Sequence, residues 1–180
     1  EKALGAYFME LSGWERAHGY ASNEHLLAVY GDKVPVRANE WDNRHFWRVS
    51  NAEHLKMSED VGMVNVSHFA EIDVQGPDAA EFLDRVYVNG FSKLAVGKAR
   101  YGFMLREDGI VMDDGTTTRL AQDRFFMTTT TAQAARVMSH LEFLLQVVWP
   151  NLRVTVASVS DQWAAMSLAG PKVRDLLRKA

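Results

Sequence analysis

An acidic doublet is the part of this sequence whose residue types most directly suggest chemistry. Asp113 and Asp114 follow the apolar run 110–112 and precede Gly115. If this segment is a strand, the two carboxylates point to opposite faces, so a shared pocket like that of an aspartic protease is not expected. One carboxylate can then enter a cleft, while the other caps a backbone group or is solvated. The spacing alone favours the simpler interpretation, a strand end closed by an Asx turn.

Threonine and histidine supply the other polar side chains with chemical potential. Threonines form two runs, at 116–118 and 128–131. Because threonine suits strands, we expect cross-strand hydroxyl contacts, and a hydroxyl-lined groove that binds a heterocycle is the functional alternative. No two histidines stand three or four residues apart, which predicts no zinc or two-metal site. The histidines are His18, His25, His45, His54, His68 and His140.

Composition limits the class of protein. The chain has 180 residues, with 20 Lys and Arg against 23 Asp and Glu, which gives a net charge of −3. A hydrophobic fraction of 47% supports a folded core. Without a basic excess, no nucleic-acid partner is expected. Cysteine is absent, which excludes disulfides and thiolate metal sites. No apolar run approaches the roughly 20 residues of a membrane helix, so no membrane partner is expected.

Hydrophobic periodicity predicts a mixed fold of helices and strands. Alternating or short apolar runs predict strands at 64–66, 72–74, 101–105, 110–112, 125–127, 152–156 and 164–168. An Asp-Gly pair at 108–109 predicts a hairpin. A capping box at Ser50 and Glu53 predicts a helix to about 60, and Asp78 is predicted to cap the next helix. Amphipathic spacing predicts a helix from 134 to Val148, ended by Pro150, and a last helix begins at 173.

The chain also carries an internal repeat. Ile-Asp-Val-Gln-Gly-Pro at 72–77 and Met-Ser-Leu-Ala-Gly-Pro at 166–171 place Gly76 and Gly170 94 positions apart. The first copy continues in the order of a split β-α-β, ferredoxin-like unit. We therefore expect an α+β fold of duplicated ferredoxin-like units whose second unit is truncated. The expected organisation is an irregular linker at 1–60, a first unit at 61–155 and the start of a second at 156–180.

Several of these segments together resemble the folate-binding aminomethyltransferase family. They are Val-Gly-Met-Val-Asn-Val-Ser-His at 61–68, Val-Gln-Gly-Pro-Asp-Ala at 74–79, Gly-Lys-Ala-Arg-Tyr at 97–101 and Gly-Ile-Val-Met-Asp-Asp at 109–114. The family includes the T protein of the glycine cleavage system and parts of sarcosine- and dimethylglycine-oxidising flavoenzymes. Residues 101–115 and 126–131 are most similar to the sarcosine-oxidising branch.

The resemblance implies a folate cleft and tetrahydrofolate as the acceptor of a one-carbon unit. In the flavoenzyme branch, FAD is held in a separate domain, which would lie outside this chain, and an N-methyl group is oxidised there. The resulting iminium or formaldehyde is then trapped as 5,10-methylenetetrahydrofolate. The implied partners are folate, a methylated amine and a flavoprotein domain or subunit. The implied compartment is the cytoplasm, or the mitochondrial matrix in a eukaryote.

The same resemblance implies which residues form the site. Asp114 matches the catalytic carboxylate that positions or activates the folate nitrogen, and Tyr101 matches a folate-contacting tyrosine. At three more folate-contacting positions, Thr118 replaces a tyrosine, Thr130 an asparagine and Phe69 a methionine of the glycine-cleavage branch. A glycine-cleavage aminomethyltransferase is therefore the less favoured alternative. The other alternative is a structural module of a flavoenzyme that keeps the fold without catalysis.

Overall fold

A computed structural model describes residues 1–35 and 46–180, so His45 lies outside the described residues. The strands are β1 Ala6–Leu11, β2 Trp14–Tyr20, β3 Gly62–Asn65, β4 Ala70–Gln75, β5 Ala99–Leu105, β6 Val111–Ala121, β7 Arg124–Thr129, β8 Thr155–Ser158 and β9 Met166–Ala169. The helices are α1 Leu27–Tyr30, α2 Trp47–Glu59, α3 Ala79–Val86, α4 Ala134–Phe143 and α5 Val173–Leu177. The predicted mixture of helix and sheet is confirmed. None of the helices in the described ranges is long and apolar enough to cross a membrane.

The chain divides into two compact units, which do not follow chain order. One unit consists of Glu1–Val66 with Ala165–Ala180, and the other of Ser67–Ala164. The first unit joins distant segments because β3 pairs with β9 in antiparallel register. The predicted division at 60 and 155 stays a prediction.

The first unit corrects two expectations. The predicted irregular segment contains the antiparallel pair β1 and β2, turned at Ser12 and Gly13 with φ of 56° and 83°. Two consecutive residues with positive φ give a two-residue turn whose twist matches that of the strands it joins. Ser-Gly is only a weak sequence signal for such a turn. The predicted capping box is also wrong, because α2 begins at Trp47. The Ser50 hydroxyl instead donates to the carbonyl oxygen of His18 at 2.6 Å.

The second unit is a five-stranded antiparallel sheet in the order β5-β6-β7-β4-β8. Helices α3 and α4 cover one face, which we call the helix-covered face. Its core contains Ile72, Val74, Phe82, Leu83, Met104, Phe125, Met127, Val137 and Leu141. The opposite face, which we call the outer face, carries the side chains that alternate with these. They are Glu71, Asp73, Tyr101, Phe103, Asp114, Thr116, Thr118, Phe126 and Thr128.

Most predicted elements of this unit are confirmed, and the exceptions have local causes. The hairpin between β5 and β6 turns at Gly109, whose φ of 81° suits glycine. Asp78 does not cap α3 with its side chain, because its carboxylate accepts from the backbone N–H of Arg153 at 2.9 Å and from the Arg153 guanidinium. The long helix ends in a π-helical turn at Leu144–Val148. This wider turn leaves Val148 46% exposed instead of buried.

Both copies of the repeat make the same local turn. Gly76 and Gly170 have φ of 138° and 118°, and helices α3 and α5 begin three residues later. A Cβ on Gly76 would lie 2.1 Å from the carbonyl oxygen of Arg153, and one on Gly170 would lie 2.3 Å from that of Asp60. The strand, Gly-Pro turn and helix therefore recur. The duplicated ferredoxin-like architecture itself stays a prediction.

Candidate functional site

The acidic doublet is split between the two faces of the second unit's sheet. Strand β6 pairs with β5 so that Asp113 lies opposite Met104 and Asp114 opposite Phe103. Asp113 is only 4% exposed and points to the helix-covered face, while Asp114 is partly exposed on the outer face. The predicted opposite orientation of the two carboxylates is confirmed. Among the described residues, no cluster of three metal-ligating side chains is present.

Tyr101 and Asp114 form a hydrogen-bonded pair on the outer face. The Tyr101 hydroxyl donates to Asp114 Oδ2. The pair is possible because Tyr101 lies directly opposite Thr116, two residues along β6 from Asp114 and on the same face. The Tyr101 ring also meets Phe103 edge to face, with centroids 5.4 Å apart. A carboxylate held through one oxygen by a phenol keeps its other oxygen available to accept a proton from a ligand.

Hydroxyls and aromatic rings continue this surface toward the middle of the sheet. The hydroxyls of Thr116 and Thr128 lie 3.2 Å apart, which confirms the predicted cross-strand contact between the two threonine runs. Thr118 lies opposite Phe126 in the register of β6 and β7. The Phe126 ring packs against Trp163 with centroids 5.4 Å apart. The outer face thus presents a carboxylate, hydroxyls and flat apolar rings side by side.

Thr130 and Phe69 are placed differently from Asp114. The Thr130 hydroxyl donates to Asp113 Oδ1 at 2.6 Å, and its backbone N–H donates to the same atom at 3.3 Å. Burial raises the pKa of Asp113, and these hydrogen bonds partly oppose the rise. Phe69 is 37% exposed, and its ring meets His68 edge to face at a centroid distance of 4.8 Å. The structure therefore places Tyr101 and Asp114 on the outer face together with the threonines Thr116, Thr118 and Thr128. The Thr130 hydroxyl instead points to Asp113 on the helix-covered face.

Glu71 is a polar residue of this face that sequence reasoning missed. It lies opposite Thr128 on β4, is 1% exposed, and has no hydrogen-bond partner for either carboxyl oxygen among the described residues. Burial raises its pKa. The Ser160 hydroxyl partly opposes this rise in pKa. The same hydroxyl accepts a hydrogen bond from the Glu71 N–H at 2.9 Å. The available signal was an acidic residue at an outward position of an alternating strand.

Tyr87 and an ion pair complete the polar surroundings. Burial raises the pKa of Tyr87, which lies behind β5 on the helix-covered face, and the negative charges of Asp113 and Asp114 add to the rise. On the outer face, Arg124 Nη2 lies 2.9 Å from Asp73 Oδ2. These two residues line an open depression of about 420 Å³ at the end of the sheet away from Asp114. Their charges satisfy each other, so the Tyr101–Asp114 pair is the stronger candidate for chemistry.

Comparisons with known proteins agree on one family. The family model of the GCVT N-terminal domain matches residues 1–180. The sequence is 52% identical over 170 residues to the sarcosine oxidase subunit alpha of Rhizobium meliloti, covering 94% of this chain and 17% of that protein. It is 31% identical over 154 residues to an aminomethyltransferase of Listeria welshimeri, covering 86% of this chain and 41% of that protein.

A solved structure shows the same fold. The glycine cleavage system aminomethyltransferase T from Bartonella henselae aligns with a TM-score of 0.76 and 25% identity, over 99% of this chain and 40% of that one. The chain thus spans less than half of the length of each of these proteins.

Proposed function

The chain belongs to the family of the GCVT N-terminal domain, and from this premise we propose that it is the folate-binding part of an enzyme that oxidises sarcosine or dimethylglycine. Its relatives named above are enzymes, and the chain is an aminomethyltransferase-type domain. The proposed reaction is transfer of the carbon released by oxidative demethylation, as an iminium or as formaldehyde, to tetrahydrofolate. One folate nitrogen attacks this carbon, and the demethylated amine (from the iminium) or water (from formaldehyde) leaves as the second folate nitrogen bonds to it. The product is 5,10-methylenetetrahydrofolate.

The observation that carries the proposal is the Tyr101–Asp114 pair on the outer face. Tetrahydrofolate supplies the amine nitrogen that attacks the one-carbon electrophile. Asp114 accepts the proton that this nitrogen loses, and its negative charge stabilises the cation that develops during attack. Tyr101 fixes the carboxylate by donating to Oδ2, which orients Oδ1 for the amine N–H.

The rest of the outer face fits a reduced pterin. A pterin is flat and carries N–H and C=O groups, so it needs an apolar surface with hydroxyls or carboxyls at its edge. Phe126, Trp163 and Phe103 supply such a surface, and Thr116 and Thr118 supply hydroxyls beside it. The flavin that oxidises the amine is proposed to lie in a separate domain or subunit, and the cytoplasm or a mitochondrial matrix is the proposed compartment.

The test is product partition in the complete protein. Asp114→Ala should lower the yield of 5,10-methylenetetrahydrofolate by about 100-fold or more, because that is the usual contribution of a proton acceptor. Amine oxidation, assigned to the flavin domain, should continue, so that free formaldehyde rises in its place. Asp123→Ala is the matched control, since Asp123 is exposed in the turn between β6 and β7. An unchanged product ratio in Asp114→Ala would remove Asp114 from the reaction.

Two alternatives have specific support. The likeness to the Bartonella henselae protein favours a glycine-cleavage aminomethyltransferase. The departures at Thr118, Thr130 and Phe69 from the residues of the glycine-cleavage branch favour a structural module that has lost folate. Calorimetric titration of the complete protein with tetrahydrofolate separates the module from both enzymes, because only the module would show no binding heat at millimolar ligand.

A further inference from the structure

Strands β6 and β7 stop pairing just before they reach Asp114. Their paired positions run from Ala121 and Arg124 to Thr117 and Met127. Asp114 lies three residues beyond Thr117, where the backbone ladder between these strands has ended. On its other side β6 remains paired with β5 as far as Asp113 and beyond. The strand that carries Asp114 is therefore held by backbone bonds on one side only.

Side chains replace the missing ladder on the other side. The Thr128 hydroxyl accepts from the Thr116 N–H at 3.1 Å and lies 3.3 Å from the Thr116 carbonyl oxygen, so it makes both contacts that a paired residue would make. Gly115 allows this approach, because a Cβ there would lie 2.1 Å from the carbonyl oxygen of Thr128. One threonine and one glycine thus keep the two strands close without regular pairing.

Asp113 makes the second of these cross-strand connections. Its Oδ1 accepts both the hydroxyl and the N–H of Thr130, at 2.6 and 3.3 Å, directly after the end of β7. Asp113 is buried, and the two donors compensate for the water it has lost. The next residue, Thr131, places its hydroxyl 2.8 Å from His68 Nδ1, and His68 contacts Phe69.

We propose that Asp113 and Thr130 form a brace that positions Asp114, and that Thr130 acts through Asp113 and does not contact the folate. This inference rests on the proposed function. The brace reaches β6 from the helix-covered face, so it can fix the strand while the outer face beside Asp114 stays open to a ligand. Asp113 and Thr130 are both positioning residues. Within the acidic doublet, Asp113 has the structural role and Asp114 the chemical role.

The test is a double-mutant cycle in the complete protein, with Thr130→Val, Asp113→Ala and the combination. Two quantities are measured: the dissociation constant for tetrahydrofolate, and the fraction of oxidised methyl groups recovered as 5,10-methylenetetrahydrofolate at saturating folate. Misplacing a catalytic group by about 1 Å costs up to about 100-fold in rate. Each single variant should therefore lower the recovered fraction by about 10- to 100-fold, and the combination should lower it no further.

Conservative variants distinguish positioning from ligand binding. Thr130→Ser keeps the hydroxyl and should restore the recovered fraction, and the dissociation constant should change less than about threefold in all variants. A Thr130→Val variant with a dissociation constant raised more than about tenfold, at an unchanged recovered fraction, would make Thr130 a ligand and overturn the brace. Additive effects of the two single variants would overturn it as well. Thr155→Val, on the exposed edge strand β8, is the control for loss of a threonine hydroxyl.

Failure of the proposed function gives a different result. If wild-type protein binds no tetrahydrofolate, or if Asp114→Ala leaves the product ratio unchanged, the proposed function is wrong whatever the cycle shows. The brace is then decided by melting temperature, because Thr130→Val and Asp113→Ala must still be non-additive if their side chains bond to each other. Additive shifts in melting temperature would overturn the brace in that case.

Discussion

Gly115→Ala is the substitution whose effect follows most directly from the geometry beside Asp114. The added Cβ would lie 2.1 Å from the carbonyl oxygen of Thr128 and 3.0 Å from its carbonyl carbon. Ordinary contacts between such atoms begin near 3.4 Å, so the two strands must separate by about 1 Å. Neither atom can move alone, because both belong to the backbone of β7.

Separating the two strands lowers the free energy of unfolding. Inserting a methyl group into a packed site that can relax only through the backbone costs about 1–3 kcal/mol. The strain falls on the hydrogen bond from the Thr116 N–H to the Thr128 hydroxyl, which is part of the contact being forced apart. Local opening should therefore become roughly 5- to 150-fold more frequent, since about 1.4 kcal/mol corresponds to a factor of ten.

Hydrogen–deuterium exchange measured by mass spectrometry on the complete protein tests this value locally. Peptides covering 111–121 and 124–129 should exchange faster in Gly115→Ala, while peptides from α3 stay at the wild-type rate. Gly90→Ala is the matched control, because the nearest atom to its added Cβ is Asp84 Oδ1 at 4.0 Å. Exchange within twofold of wild type in both peptides would refute the idea that Gly115 is required by the approach of β7.

Two further perturbations test the core and the buried carboxyl. Phe82, fully buried on α3, meets Trp149 edge to face at 6.2 Å, so Phe82→Ala should cost about 3–5 kcal/mol and lower the melting temperature far more than Ala80→Gly does. Burial raises the pKa of Glu71 above its ordinary 4.5, so the unfolded chain ionises first and the fold loses stability as the pH rises from 4.5 to the raised pKa. Glu71→Gln should therefore gain melting temperature relative to wild type as the pH rises from about 4.5 to the raised pKa, and keep that gain above it; a pH-independent difference would contradict this.

Local patterns predicted the elements of the second unit well. Alternation in β4 and around the Asp-Gly turn identified strands whose side chains do alternate between faces, and this sufficed to separate Asp113 from Asp114. The face of α3 was also predictable, because its apolar residues recur at helical spacing and are buried; they are Ala79, Phe82, Leu83 and Val86. These features depend on residues close in sequence, so the pattern contains the information needed.

Features that depend on distant partners were not predictable. A serine followed three residues later by glutamate is typical of a capping box, yet the Ser50 hydroxyl bonds to His18 because β2 lies beside α2 in the fold. The pairing of β3 with β9 joins segments that share no local signal. Likewise, Thr130 could be aligned with a folate-contacting position, but only the end of β7 shows that its hydroxyl turns toward Asp113.

The residue types found around Asp114 follow from the way β6 and β7 stop pairing there. A fully paired ladder satisfies the backbone N–H and C=O groups between two strands, so it needs no side chains to do so. Where β6 and β7 part, the backbone groups of Thr116 and Thr130 still need partners, and short hydroxyl or carboxylate side chains are the groups that can reach them. The threonine runs and Asp113 meet this need, which explains why residues of such different types cluster within a few positions. Asp114 is then the one acidic side chain of the doublet that this cross-strand network leaves to the outer face, where the proposed proton transfer from a bound amine would take place.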